Sequence, residues 1–257
     1  MIAAHQTNPN THFVSVGDRE ADVYDLFMKP RPEGVYLLIR ATRDRRLEEG
    51  ENRYLWAALQ STPAVAKMEI RVPRRQKQPD LTATQARTTI PARTANTEIY
   101  WKQVQLRPPK HRIREKLPTI KLWAVWVIEP DPPSGVEKIE WMLLTTVAVT
   151  DATEALERLD WYACRWGIEV WHKILKNGCK IESRQLKDVE NIKRLLAVFG
   201  VVAWRILYAT MLARAMPEMP CSVFIEEEWQ ALFCTVHNTA ILPEKPPTLQ
   251  EASRMVG

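Results

Sequence analysis

Apolar and polar positions along the chain alternate between two periods, and each change of period marks an element. Thr11-His12-Phe13-Val14-Ser15-Val16-Gly17 predicts a strand running into Asp18. Asp18 to Met28 then predicts a helix whose apolar contacts come from Ala21, Val23, Tyr24, Leu26 and Phe27. Lys29-Pro30-Arg31-Pro32-Glu33-Gly34 ends it, because proline lacks the helical donor. Val35 to Ile39 predicts a second, buried strand closed by Arg40. After a short helical piece around Tyr54 to Leu59, alternating runs at Val65–Val72, Thr88–Ala92, Ile99–Leu106 and Lys121–Ile128, separated by Pro- and Arg-rich turns, predict antiparallel strands. Ile139 to Val149 returns to strand. Thr150-Asp151-Ala152-Thr153-Glu154 opens a helix that Thr150 or Asp151 can cap. Glu190 to about Arg214 predicts a long helix, broken by Pro217 and Pro220, and Phe224 to Asn238 another, before a short amphipathic end. The polar residues 1–10 are expected to be loosely held.

The stretch from Asp160 to Lys176 carries the densest chemistry. At 3.6 residues per turn, Tyr162, Arg165, Glu169, Lys173 and Lys176 fall within roughly 80° of one another around a helix. Cys164, Gly167, Ile168, Trp171, Ile174 and Leu175 spread over the other side, so the helix is expected to bury that side and present one carboxylate among three cations and a phenol. A lone Glu ringed by cations suits metal and phosphate chemistry.

The chain of 257 residues is long enough to bury a sizeable core, as one large domain or two small ones. Its net charge of +5 is compatible with a polyanionic partner without deciding the matter. Arg71, Arg74, Arg75 and Lys77, and later Arg107, Lys110, His111, Arg112, Arg114 and Lys116, form dense basic clusters that are expected to lack compensating carboxylates nearby. Such runs serve either as solvated loops or as phosphate contacts. Cys164, Cys179, Cys221 and Cys234 lack the paired short spacing of a zinc ribbon and are expected to be reduced thiols. No run of about 18 apolar residues occurs, which disfavours a membrane span, and no leader opens the chain, so a cytoplasmic protein is expected. The longest apolar stretch, Leu195 to Trp204, is expected to be part of a buried helix.

Tyr162, two residues, Arg165, three residues, Glu169, six residues and Lys176 resemble the Tyr-Arg-Glu-Lys signature of bacterial insertion-sequence transposases of the DDE class, in their IS-four-type, hairpin-forming branch. Val16-Gly17-Asp18-Arg19-Glu20-Ala21-Asp22 resembles the segment with that family's second catalytic Asp. Glu140-Trp141 followed by Met142-Leu143-Leu144-Thr145-Thr146 resembles its strand before the Glu helix. The three matches occur in the family's order and cover most of the chain.

The resemblance implies a fold and a chemistry. The fold is α/β with a ribonuclease-H-like mixed sheet, incomplete because its opening strands are absent, an inserted antiparallel β subdomain and C-terminal helices. The expected boundaries are a first part of the core at 1–44, a β-rich insertion at 45–138, the second part of the core with the Glu helix at 139–200, and a helical region at 201–257. The function implied is that of a cut-and-paste transposase, which binds element-end double-stranded DNA and cleaves and transfers its strands. In-line displacement at phosphorus is assisted by two divalent ions about 4 Å apart, held by hard oxygen ligands. Asp18 and Glu169 would then be catalytic, metal-binding carboxylates, with Mg2+ or Mn2+ as the ion. Tyr162, Arg165, Lys176, Lys173, Trp141 and Arg40 would contact DNA, Trp141 by stacking on a base turned out of the duplex.

Each of these residues has a plainer reading. An Asp beside Gly at a strand end also caps helices; Arg165 and Lys173, four residues either side of Glu169, also form helix-surface ion pairs. Trp141 also fits a core, and Arg40 a plain surface. The family's first catalytic Asp is expected on an earlier strand that this sequence lacks, and Asp22 and Asp25 lie on the helix after Asp18, facing away from it. The expected polypeptide is a fragment cut at both ends, either part of an active enzyme or a DNA-binding, oligomerising piece that inhibits full-length transposase. It would act as a homodimer or in a mixed dimer.

Overall fold

The computed structural model describes residues 2–48, 50, 53–72, 75–76, 89–186, 188–239 and 241–256. Strand-forming runs set its architecture. They are β1 (Phe13–Gly17), β2 (Val35–Arg40), β3 (Ala66–Val72), β4 (Arg75–Gln76), β5 (Thr89–Ile90), β6 (Arg93–Leu106), β7 (Ile120–Ile128) and β8 (Glu140–Thr145). Six of them hydrogen-bond into one mixed sheet in the order β1-β2-β8-β7-β6-β3, while β4 and β5 pair separately. Only β1 and β2 run parallel in that sheet; the other pairings are antiparallel. The chain divides into two units, Met1–Arg165 and Trp166–Gly257.

In the first unit the two faces of the sheet can be read from residue parity. Leu37, Ile39, Val104, Leu106, Leu122, Ala124, Trp126, Met142 and Leu144 point to one face, where they pack with Tyr24 and Phe27 of α2 (Tyr24–Met28) and Leu55, Ala58 and Leu59 of α3 (Leu55–Gln60). Their neighbours Leu38, Ile99, Val125, Val127 and Leu143 point to the other, under Ala155, Leu159 and Tyr162 of α4 (Ala152–Cys164). A strand buried on both faces has no polar side to show, which is why β2, β7 and β8 read as nearly continuous apolar runs. The start of α4 is a reciprocal cap: Asp151 accepts the Glu154 N–H at 2.8 Å, and the Glu154 carboxylate accepts the Thr150 N–H at 2.6 Å.

Several elements differ from their sequence expectation. Residues 2–7 form a short helix, α1 (Ile2–Thr7), rather than a loose end. The helix expected over 18–28 is broken into a single 3-10 turn at Arg19–Ala21 and the short α2, with extended backbone at Val23. The cause is Asp22, which turns inward to bind Arg45 and the Thr42 N–H instead of continuing the helix. Strand β8 stops at Thr145 rather than Val149, because Thr145 and Thr146 spend their hydroxyls on the backbone of Leu37. Of the described strands within 45–138, β4 and β5 pair with each other, while β3, β6 and β7 extend the sheet that holds β1, β2 and β8. Thr88, Arg74 and Lys77 lie outside the described residues. Two members of the second basic cluster are compensated: Arg107 pairs with Glu48 at 2.8 Å, and Arg112 pairs with Asp25, far away in sequence, and with Glu115 three residues on.

The second unit is helical. It holds α5 (Trp166–Lys173), a π-turn at Ile174–Gly178, α6 (Val189–Ala215), α7 (Glu228–His237) and α8 (Leu249–Val256). One end of α6 packs Phe199 and Ala203 against Trp171, Ile174 and Leu175; the other packs Ala213 with Cys221, Trp229, Leu249 and Ala252. Helix α7 starts at Glu228, later than the expected Phe224, because Cys221–Val223 forms a separate 3-10 turn. The expectation that Leu195–Trp204 is buried is overturned. Helix α6 carries a long apolar stretch from Leu195 to Ala213 interrupted by Arg205, its two packing sites cover only part of it, and Val198, Val201 and Trp204 are each more than half exposed. By length and composition α6 could cross a membrane, a test that core helices also pass.

Leu144 is fully buried at the centre of the sheet, in contact with the layer that holds α2 and α3. Leu144→Ala is expected to lower the unfolding free energy by about 2–5 kcal/mol in urea denaturation followed by circular dichroism.

Candidate nucleic-acid-processing site

Asp18 follows β1 directly, at its carboxyl end. The approach to it is close: a Cβ on Gly17 would come within 2.7 Å of the Ile39 Cδ1 and 2.8 Å of the Ala21 Cβ. A side chain there would force the Ile39 tip aside and press on Ala21 of the following 3-10 turn. Asp18 caps that turn by accepting the Arg19 N–H at 2.8 Å, so the plain reading of this residue as a cap is correct for one oxygen-to-backbone contact.

The rest of the carboxylate faces side chains from the far end of the unit. Tyr162, in the last turn of α4, donates its hydroxyl to Asp18 Oδ1 at 3.3 Å. Arg165, which caps the same helix, places a guanidinium nitrogen 3.5 Å from Asp18 Oδ2. The Arg165 guanidinium also lies 5.7 Å from the centre of the Tyr162 ring, and the Trp141 ring centre lies 5.6 Å from it. Arg40, at the end of β2, donates to the Glu140 carbonyl at 3.0 Å and adds a second positive charge near Asp18 and Tyr162. Five residues singled out in the sequence, Asp18, Arg40, Trp141, Tyr162 and Arg165, therefore meet in the first unit. Trp141 is partly buried against the Leu38 and Leu143 face, so it is at once a core residue and a wall of this cluster.

The electrostatics follow from that crowding. Partial burial pushes the Asp18 carboxyl up, but the Arg19 N–H, the charges of Arg165 and Arg40 and the Tyr162 hydroxyl outweigh it and hold the group below its ordinary value of 3.8. A depressed carboxyl stabilises the fold at pH values above its unfolded pKa, and that contribution disappears as pH falls through the lower native value. Burial, with the negative charge of Asp18 in support and Arg40 and Arg165 in opposition, pushes the Tyr162 phenol above 10.

The remaining sequence candidates lie in the second unit. The single continuous helix expected over 160–176 is segmented. It has helix α4 to Cys164, Arg165 with helical backbone, α5 to Lys173, and then a π-turn from Ile174 to Gly178. The apolar side expected to be buried is only partly so: no α5 residue is fully buried, and Ile168 is 48% exposed, whereas Trp171, Ile174 and Leu175 pack against α6. Glu169, Lys173 and Lys176 line one open groove of about 590 Å³ with His172 and Asn177. Lys176 also pairs with Glu182 at 3.0 Å between exposed side chains, a contact of small energetic weight.

The model for the transposase DDE domain matches residues 3–202, more than three quarters of the sequence. The chain belongs to the transposase DDE domain family. That match spans the whole of the first unit from residue 3, including the Asp18 cluster, and continues through α5 into α6. Transposases of this family act on DNA, and their DDE domains generally use divalent metal ions.

The donors present can be compared with what such an ion requires. A divalent cation needs several hard oxygen ligands, and Asp18 offers one carboxylate already engaged by a guanidinium, a phenol and a backbone N–H. Among the described residues no group of three or more His, Cys, Asp or Glu side chains is placed to hold an ion. The Asp18 cluster as it stands is thus a partial ligand set set among cations, better fitted to orienting a phosphate than to holding a metal unaided. Asp22 and Asp25 do not extend it: Asp22 is buried on Arg45, and Asp25 is paired with Arg112.

Sequence reasoning missed Arg45, whose pairing with Asp22 anchors the segment between Asp18 and α2, and Glu140, whose carboxylate accepts the indole N–H of both Trp56 and Trp126. No spacing signal marks either one, since their partners stand 23, 84 and 14 positions away.

Two outcomes test the cluster. Asp18→Asn removes an anion that disfavours tyrosinate, so Tyr162 is expected to ionise at lower pH than in the parent; the shift is isolated by subtracting the ultraviolet pH titration of Asp18→Asn/Tyr162→Phe. Gly17→Ala is expected to destabilise the fold by about 1–3 kcal/mol in urea denaturation, by overpacking against Ile39 and Ala21.

Proposed function

We propose that this chain is a transposase of the IS-four-type branch, built on a ribonuclease-H-like core, that binds element-end DNA through the Asp18 cluster and the Glu169 groove. The observation that supports it most is the gathering of Asp18, Arg40, Trp141, Tyr162 and Arg165 at one strand end of a chain that belongs to the transposase DDE family.

In this reading Asp18 and Glu169 are the metal-binding carboxylates, with Mg2+ or Mn2+ as the ion. Held there, divalent ions would supply activation of the attacking oxygen and stabilisation of the leaving one. The chain's other residues bind and orient. Arg165 and Arg40 hold phosphate oxygens with planar forks, Tyr162 donates its hydroxyl, Lys173 and Lys176 add charge, and Trp141 stacks on an unpaired base. A second reading, a DNA-binding polypeptide that inhibits intact transposase by mixed assembly, is favoured by one feature of the cluster: Asp18 is engaged by Arg165 and Tyr162, and no group of three or more His, Cys, Asp or Glu side chains is placed to hold an ion among the described residues.

The two readings part in one assay. Purified chain is incubated with supercoiled DNA carrying element ends, with Mg2+ or with chelator. The enzyme reading expects metal-dependent nicking that Glu169→Ala or Asp18→Ala reduces by at least about 100-fold, with DNA retention in a gel largely intact. Retention without nicking, together with inhibition of an intact transposase, supports the second reading. Equal nicking by parent and Glu169→Ala removes Glu169 from the mechanism.

A further inference from the structure

Arg40 of the cluster described above also lines a polar cleft of about 340 Å³, whose other walls that cluster does not include. Its walls include Arg19, Arg40, Trp56, Glu137, Lys138 and Glu140, all in the first unit. We infer that this cleft is a subsite for one phosphodiester of a DNA strand and its attached nucleoside, gripped by Arg19, Arg40 and Lys138 and walled by the Trp56 indole. The inference rests on the transposase reading and adds to it a contact that neither the signature residues nor the Glu169 groove supplies.

The cleft is built rather than incidental. Glu140 organises one wall: its Oε1 accepts the indole N–H of Trp56 at 3.0 Å and of Trp126 at 3.1 Å, and its Oε2 takes the Lys138 ammonium at 2.8 Å. These contacts satisfy the carboxylate and fix the Trp56 ring edge, so the negative charge of Glu140 is already answered. Burial pushes the Glu140 carboxyl up, but Lys138 and the two indoles outweigh it and hold it below its ordinary 4.5, so it is charged at neutral pH. Arg40 spends one Nη2 hydrogen on the Glu140 carbonyl, which fixes the orientation of its fork.

Arg19 is held on both sides by its backbone, donating its N–H to Asp18 and accepting the Thr42 hydroxyl at 2.8 Å. Its exposed guanidinium makes no hydrogen bond or ion pair among the described residues. Three cations against Glu140 and the exposed Glu137 leave one net positive charge, which a phosphodiester matches. The volume is in the range of small-molecule pockets, about 300–1,000 Å³, which gives room for a nucleoside as well as its phosphate. An aromatic wall suits a base of any sequence.

The test is fluorescence anisotropy with a short labelled oligonucleotide, single-stranded and duplex, in chelator and at several salt concentrations. Arg19→Ala and Lys138→Ala are expected to weaken binding about 3- to 10-fold each. Each should also flatten the dependence of log affinity on log salt by about 1 unit. Glu137→Gln, at an exposed position, is expected to tighten binding about 2- to 5-fold, an opposite sign that misfolding does not produce. A strand carrying 5-iodouracil should photo-crosslink to the peptide containing Trp56. A parent that retains DNA while all three variants keep its affinity and salt slope, with no crosslink, overturns this subsite and leaves the transposase reading standing. A parent that retains no DNA overturns both. Inorganic phosphate displacing the crosslink as well as unlabelled oligonucleotide does, at matched phosphate and ionic strength, would assign the cleft to free phosphate and overturn the strand subsite.

Discussion

The pairing of β2 with β8 is the constraint on which the first unit depends. Leu38, Ile39 and Arg40 meet Thr145, Leu144 and Leu143 in antiparallel register. Around that ladder the Thr145 hydroxyl donates to the Leu37 carbonyl, the Thr146 hydroxyl accepts the Leu37 N–H, and Arg40 reaches the Glu140 carbonyl. These contacts join segments more than 100 residues apart, so a long loop-closure entropy must be met before they form. What they gain is position. With β1 parallel to β2 and α4 packed on the face that holds Leu38 and Leu143, the end of β1 comes to lie beside the last turn of α4. Asp18 thereby reaches Tyr162 and Arg165, which no local interaction could bring about.

The chemistry of that junction follows from the charge balance. One half-exposed carboxylate stands among two guanidiniums, with a buried phenol whose ionisation the same carboxylate opposes. The two guanidiniums outnumber the single carboxylate, so the junction carries an excess of positive charge. The Arg165 guanidinium stands 3.5 Å from Asp18 Oδ2, so this oxygen already faces a positive charge.

Much of this was legible in the sequence, for physical reasons that differ by element. The buried strands β2, β7 and β8 announce themselves because burial on both faces leaves nearly continuous apolar runs, and the helix α6 does so by its long apolar stretch interrupted by Arg205. The cap at Asp151 is local and so is its sequence mark. The residues of the Asp18 cluster were identified by resemblance to a family, and their spacing alone did not show that Asp18 meets Tyr162 across a separation of 144 positions. What the sequence concealed was whatever a distant partner decides. The helix after Asp18 breaks because Asp22 finds Arg45, two arginines of the basic run at 107–116 are answered by Glu48 and Asp25, and the exposure of α6 depends on how little packs against it. Periodicity reports which residues prefer burial and is silent on whether enough surface exists to bury them.

Arg40 joins these threads. Its backbone belongs to the β2–β8 ladder, its guanidinium is oriented by the carbonyl of Glu140, and its charge bears on Asp18 and on Tyr162 while its side chain also lines the neighbouring cleft. A surface arginine with no such fixings would lose rotamer entropy on meeting a phosphate; one already held at both backbone and fork loses less, and more of the interaction is realised as affinity. The strand pairing that builds the sheet therefore also stiffens the cation between the Asp18 cluster and the cleft. A DNA strand crossing from one to the other would pass over a side chain whose direction the fold has already set.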